Sequence, residues 1–250
     1  MTELLSLLDS GGNPDCTLKE HEDLFGFSDE THALQRQVVQ ADIDIITGLY
    51  SSPGMEVSTL PDSARRFYEL SVNAFDAFVH AWMSEQPIET EMLVFGRRVI
   101  AAADRRAAEK TAADRGEPDT LTVLTAASRV QHEIHRMLGL LRFFPDEKGV
   151  YIARCGPDHF VLPALGEHFT VRFGETAWAV FDEKRGLCLR RFPGGRAKIH
   201  AQNGFFSGGG DEWEDLWRHY HKTINNEERN NPDLQRRLMP KRYWKYLPEM

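Results

Sequence analysis

The sequence predicts an α+β fold. A helical N-terminal half should be followed by a small antiparallel sheet, built as a hairpin plus a meander, with flanking helices and a basic aromatic C-terminal arm. Three observations carry this. Apolar residues recur three or four apart over most of the chain up to about residue 140, as a buried helix face requires. After Gly139 the pattern changes to short apolar runs cut by PDEK, EKR and PGG, which read as strands and turns. Residues 228–250 then interleave Arg and Lys with Tyr and Trp. Helices first and strands later is the order of an α+β chain rather than of repeated βαβ units, so a dinucleotide-binding doubly wound fold is excluded.

Each element has its own warrant. Residues 1–30 are acidic and interrupted by Gly11, Gly12 and Pro14, so a mobile segment is expected there. Residues 31–250 are expected to form one α+β domain, helical over about 31–140 and sheet-containing over about 140–250. A weak helical pattern covers 31–50, and SSPGMEVSTLP reads as a loop. The next helix has Pro61 near its start, Asp62 in its first turn, and a stripe of Ala64, Phe67, Phe75, Phe78, Val79 and Trp82. Alanines at 101–103, 107, 108, 112 and 113 favour a helix over about 89–115, ended by Gly116 and Pro118. Asp119 is the expected N-cap of a long helix with core stripe Leu121, Leu124, Ala127, Val130, Ile134, Met137 and Leu141. Its polar face carries Arg129, His132, Glu133 and Arg136, where Glu133 can pair with either arginine. Runs 140–144 and 149–155 read as a hairpin. Pro163 opens the helix LPALGEHFTVRF, and TAWAVFD, GLCLRRF and RAKIHA are three short strands. SGGGD leads into a last helix over about 212–228, with Trp213, Leu216, Trp217, Tyr220 and Ile224 on one stripe.

Composition excludes several classes of protein. The 250 residues are 41% hydrophobic and 27% charged, which rules out collagen, a disulfide scaffold and a wholly disordered chain. No apolar run approaches the roughly 20 residues of a membrane span. The opening MTELLSLLDSGG lacks the basic and long apolar regions of a signal peptide, so a cytoplasmic protein is expected. Cys16, Cys155 and Cys188 form no CxxC, which argues against a disulfide framework, a structural zinc site or an iron–sulfur cluster. The net charge of −8 belongs to residues 1–44, which hold ten acids and two bases. Residues 229–245 hold six bases and only Asp233 against them. Such patches, more than net charge, decide contact with phosphates.

Three clusters are chemical candidates. HEIH places His132 and His135 three apart on a helix, a spacing that can hold a metal but lacks a third ligand; no metal is expected. Asp158–His159, with His135, offers carboxylate and imidazole for acid–base work near neutral pH, and Arg136 and Arg142 nearby can hold a phosphate. In the tail, Arg236, Arg237, Lys241, Arg242 and Lys245 are phosphate contacts, and Tyr243 and Trp244 can stack on unpaired bases. The alternative for the tail is that its aromatics dock on the core and its cations are solvated.

Four runs carry a family resemblance: EIHRMLGLLRF (133–143), PDHFVLPALGEHFTVRF (157–173), WAVFDEKRG (178–186) and ERNNPDLQRRLMPKRYWKYLPEM (228–250). They resemble the bacterial family known as domain of unknown function 4130, closely over about 128–250 and more loosely over 32–127. Members are commonly labelled probable DNA metabolism proteins. The family is associated with a radical S-adenosylmethionine protein, and some members are fused to a uracil-DNA glycosylase-like domain. The chain departs from the family pattern at Phe160, where a polar residue is more usual, and at its acidic N-terminus. It also lacks the fused domain and the cluster cysteines. The resemblance therefore implies a DNA repair or modification component that binds DNA, single-stranded or distorted, and works with a separately encoded radical S-adenosylmethionine enzyme, with no cofactor of its own. Two alternatives stand beside it. One is a nucleic-acid hydrolase or glycosylase-like enzyme using His135, Asp158 and His159. The other is a non-catalytic adaptor between proteins.

Overall fold

A computed structural model describes residues 1–8, 40–51, 57–201 and 239–248, with short stretches at 215–216, 218–219, 222–223 and 233–234. The chain divides into two compact units, Met1–His132 and Glu133–Met250. It is α+β, with helices in the first unit and a five-stranded, mostly antiparallel sheet with its helices in the second.

The first unit contains α1 (Thr2–Leu7), α2 (Gln40–Ser51), α3 (Asp62–Leu70), α4 (Val72–Met83), α5 (Glu89–Ile100), α6 (Arg105–Ala112) and the first part of α7 (Pro118–Leu140). Its core is aromatic. Phe67 is fully buried, with Phe75, Phe78 and Phe95 edge-on to it at 5.6, 5.5 and 6.2 Å between ring centroids. Such edge-to-face pairs add to the burial of each ring. The expected stripe Ala64, Phe67, Phe75, Phe78, Val79 and Trp82 is all buried.

Residues 1–8 differ from the mobile segment expected for 1–30. Leu5 is fully buried, the N-terminal ammonium bonds Asp42 at 2.8 Å, and Arg97 donates to the Leu7 carbonyl at 2.8 Å. Gly96 allows this approach, because a Cβ there would lie 2.9 Å from Leu8 Cδ2. Residues 9–39, including Cys16, lie outside the described residues.

Two expected helices are each broken in two by a capping side chain. The helix opened at Pro61 stops at Leu70, where Ser71 turns extended and accepts the Ala74 N–H at 3.0 Å. The helix expected over 89–115 stops at Ile100 and restarts at Arg105, because Asp104 accepts the Ala107 N–H at 2.8 Å. Serine and aspartate compete for backbone groups in this way, and the alanine count of the run hid that signal. Asp119 lies inside the first turn of α7, where Arg98 donates to both its oxygens at 3.0 Å. Of the expected stripe on α7, Ala127, Val130, Met137 and Leu141 are buried and Leu124 and Ile134 half-buried, but its first position and its width differ. Leu121 is exposed, whereas Thr120, Val123, Ala126 and Glu133 are buried. Glu133 thus leaves the polar face on which the sequence put it.

His80 on α4 is buried with both ring nitrogens engaged. Nδ1 lies 2.8 Å from the Asp76 carbonyl and 3.2 Å from its carboxylate, and Nε2 lies 2.9 Å from the Tyr50 hydroxyl. Nδ1 faces only acceptors and so donates, and the Tyr50 hydroxyl lies between Nε2 and Met83 Sδ, the latter at 3.6 Å.

The second unit holds a sheet in the order β1–β2–β3–β4–β5: Phe144–Pro145, Tyr151–Cys155, Trp178–Asp182, Leu187–Arg191 and Lys198–Ala201. β1–β2 is the expected hairpin, with Pro145 on the edge strand that tolerates it. β3–β4–β5 is the expected antiparallel meander. The two are joined by a parallel pair, β2 with β3, in register from Tyr151↔Trp178 to Cys155↔Asp182. The sequence reading kept hairpin and meander apart and excluded βαβ connections. Residues 156–177 are long enough to cross over, and they do so through α8 (Leu162–Phe173). α8 lies on β3, β4 and β5 and buries Leu162, Leu165 and Phe169. Phe169 meets Trp178 at 6.0 Å. A 3-10 helix, Lys241–Tyr246, lies near the chain end. The expected helix over 212–228 falls largely outside the described residues, as do Arg236 and Arg237.

Candidate functional site

The turn after β2 begins Gly156–Pro157–Asp158–His159. Proline has no N–H, so Asp158 and His159 carry the first two amides after it. Both point at one carboxylate. Asp158 N–H donates to Glu133 Oε1 at 2.8 Å and His159 N–H to Oε2 at 2.7 Å. Glu133 comes from the last turns of α7 and is only 2% exposed. A carboxylate this buried needs hydrogen bonds to stay ionised without a large cost. Tyr243 completes the set by donating its hydroxyl to Oε1. Phe160, the departure from the family pattern, is fully buried and anchors the far side of the turn.

Arg242 sits over this centre. Its Nη2 donates to the Tyr243 oxygen at 2.9 Å, lies 2.8 Å from Asp158 Oδ2 and 3.9 Å from Glu133, and its Cζ is 4.6 Å above the Tyr243 ring. Burial pulls its pKa down, but the Tyr243 bond and the Asp158 and Glu133 charges outweigh that, so the guanidinium is held even more firmly charged. Burial first, and Glu133 second, push the Tyr243 hydroxyl well above its usual range, so it stays a donor.

The β3–β4 turn clamps the same loop from its other end. Asp182 is fully buried; it accepts the Lys184 N–H at 3.0 Å and pairs with Arg185 at 2.8 Å. Burial raises its pKa against the pull of Arg185. Arg185 reaches on to the carbonyls of Pro157 at 3.1 Å and Asp158 at 3.0 Å, and Lys184 Nζ reaches the Asp158 carbonyl at 3.1 Å. Glu183 gathers Arg154 and Tyr246, the latter at 3.0 Å, with Lys245 at 3.4 Å. Burial raises the pKa of Glu183, but the bonds from Arg154, Tyr246 and Lys245 win and hold it below the usual carboxylate range. Gly156 has no side chain because a Cβ would collide with the Tyr246 hydroxyl.

The electrostatic result is a layered site. Glu133, Asp182 and Arg185 are buried, while Arg154, Lys184, Lys241, Arg242 and Lys245 all reach solvent. Among the carboxylates that hold the cluster, Asp158 is about half exposed and Glu183 less so. The surface is therefore rich in cations and suited to an anionic ligand.

The sequence candidates fall unevenly on this site. Asp158 and the His159 backbone are in it, but the Asp158 carboxylate is taken by Arg242 rather than left as a partner for acid–base work. His135 is exposed on α7. Two residues along a helix is roughly 200° of turn, so it points away from Glu133. Arg142 caps the helix end by donating to the Gly139 carbonyl at 2.9 Å, and Arg136 is half-buried on α7. Tyr243 corrects the stacking expectation: its ring is 1% exposed and its hydroxyl holds Glu133, so no base can reach it. Trp244 is half-buried, donates to the Met239 carbonyl at 2.8 Å, and has Lys241 Nζ 5.9 Å from its ring centre.

Among the described residues no group of three or more His, Cys, Asp or Glu is placed to hold a metal ion. Burial raises the pKa of both Cys155 and Cys188, the latter to about 11, as for structural thiols. The sequence reading passed over Asp182, Glu183 and Arg185, and it gave Glu133 to an arginine on a polar helix face instead of to this loop. Their signal was present, since Glu133 opens one resembling run and DEKR stands in another.

No curated protein and no solved structure matches the chain. No helix among the described residues is long and apolar enough to cross a membrane. The sequence model of one family, the domain of unknown function DUF4130, matches residues 91–249. That span is well over half of the chain and contains every residue of the layered site, so the protein belongs to the DUF4130 family.

Proposed function

We propose that this protein is a DNA-binding component of a cytoplasmic DNA repair or modification process, and that the cationic surface around Asp158 is where nucleic acid docks. The observation that carries the reading is convergence. The four runs that resemble the family are separate in sequence, yet each supplies residues to the one cluster: Glu133, then Asp158 and His159, then Asp182 to Arg185, then Arg242 to Tyr246. Two of the four carboxylates that organise the cluster, Glu133 and Asp182, are buried, while all of its cations but Arg185 face water, which favours a phosphate-bearing partner. Action alongside a separately encoded radical S-adenosylmethionine enzyme is proposed from the resemblance alone.

The test is fluorescence anisotropy with single- and double-stranded DNA at two salt concentrations. Salt-sensitive binding is expected, with preference for single-stranded or distorted DNA. Lys241→Ala removes an exposed cation that pairs with no carboxylate in the cluster. It should weaken binding and lower the slope of log affinity against log salt by about one. Absence of binding at low salt, or a slope unchanged in Lys241→Ala, would overturn the reading.

A further inference from the structure

We infer that the Asp158 carboxylate is a built-in stand-in for a nucleic-acid phosphate, occupying the phosphodiester position on Arg242 and swinging away when DNA binds. This rests on the DNA-binding reading above and adds a mode of regulation to it. Three features of the geometry carry it.

The first is that Arg242 is held in place without Asp158. Tyr243 accepts its Nη2 hydrogen at 2.9 Å, lies flat beneath its Cζ at 4.6 Å, and is itself fixed by buried Glu133. The guanidinium would keep its position if the carboxylate left. Preorganised arginines of this kind suit bidentate phosphate recognition.

The second is that both side chains of the Asp158–Arg242 pair are open to solvent. The two side chains are 49% and 44% exposed, and exposed pairs contribute only about 0–1 kcal/mol. The backbone of Asp158 is pinned instead, by its N–H on Glu133 and its carbonyl on Lys184 and Arg185. Only rotation of one short side chain is needed to vacate the position.

The third is that the guanidinium has unused donors. Among the described residues all its contacts run through Nη2. Either Nε or Nη1 can serve a second phosphate oxygen while Nη2 holds the first, and Lys184 Nζ, 3.1 Å from the Asp158 carbonyl, adds a further cation to the same loop.

The test compares wild type, Asp158→Asn and Glu167→Gln, an equal charge change at an exposed position on α8, using a single-stranded oligonucleotide and, separately, thermal shift with inorganic phosphate. Asp158→Asn should bind the oligonucleotide about fivefold tighter with a salt slope steeper by about one, and phosphate should raise its melting temperature more than that of wild type. Glu167→Gln should change affinity by less than about twofold, since salt screens a distant charge. Equal tightening in both variants, or none in Asp158→Asn, overturns the stand-in and leaves the DNA-binding reading intact. Phosphate stabilisation of Asp158→Asn with no DNA binding by any protein overturns the DNA-binding reading and keeps an anion position on Arg242. Failure of both probes overturns both. Asp158→Asn keeps the backbone bonds of the loop, and its melting temperature without phosphate confirms that it folds.

Discussion

Taken separately, the two units differ in what holds each of them together internally. In Met1–His132 the centre is a cluster of phenylalanines, with Phe67 inside it, and the buried polar groups are mostly neutral side chains, some bonded nearby, as His80 is to Asp76, and some further off, as Ser63 is to the Leu5 carbonyl. In Glu133–Met250 the sheet has an apolar core too, but the loop after β2 and the chain end are fastened by buried carboxylates that reach across the sequence. Glu133 and Tyr243 are 110 positions apart. Apolar packing is tolerant, because any group of similar size and shape fills the space. A buried carboxylate demands named partners at named distances. The first unit therefore reads as scaffold, and the second concentrates its specificity at one edge, where charge is left on the surface.

Substitutions can break that contrast. Phe67→Ala should have the largest effect on stability, about 4 kcal/mol by chemical denaturation, as for a large cavity in an aromatic core. Glu133→Ala should follow at about 3 kcal/mol, since it strands two buried amides and a tyrosine hydroxyl. Its signature is local: amide protection should fall at residues 156–160 and 239–248, whereas Phe67→Ala should loosen the helices of the first unit. A loss of under about 1 kcal/mol in Glu133→Ala would mean that the carboxylate is incidental to the fold. Gly156→Ala comes next at about 1–2 kcal/mol, because the new methyl pushes the Tyr246 hydroxyl off Glu183. Wild-type stability in that variant would show the contact is slack.

The smallest effect is on pH dependence. Glu183 is held below the usual carboxylate range by Arg154, Tyr246 and Lys245, so it binds protons less readily folded than unfolded. Its contribution is complete above the unfolded pKa and is lost as pH falls through the folded one. Asp182, raised by burial, acts with the opposite sign. Comparing the melting temperature of wild type with Glu183→Gln isolates the first group: the difference should be constant above the carboxylate range and shrink below it. A constant difference at all pH values would show that Arg154, Tyr246 and Lys245 do not hold Glu183 ionised.

Legibility in the sequence followed the same division. The stripe through Phe67, Phe75, Phe78 and Trp82 was readable because burial of apolar residues repeats with the helical period. The strands were readable from their lengths and turns. The breaks at Ser71 and Asp104 were not, because each depends on one side chain competing for a backbone amide. The parallel β2–β3 pair was hidden because strand order is set by the crossover, which leaves no local pattern. The site was half legible. Its tail, its Asp158 and its basic residues stood out by composition, but Glu133 looked like one more charge on a polar helix face. Only tertiary structure reveals that its partners are two amides and a tyrosine from distant segments.

The most direct test of the functional account is amide hydrogen exchange on the intact protein with and without single-stranded DNA. The account predicts added protection at residues 156–160, 183–186 and 239–248, with the helices of the first unit unchanged. Protection confined to residues 40–132, or none at a DNA concentration that saturates binding, would contradict it.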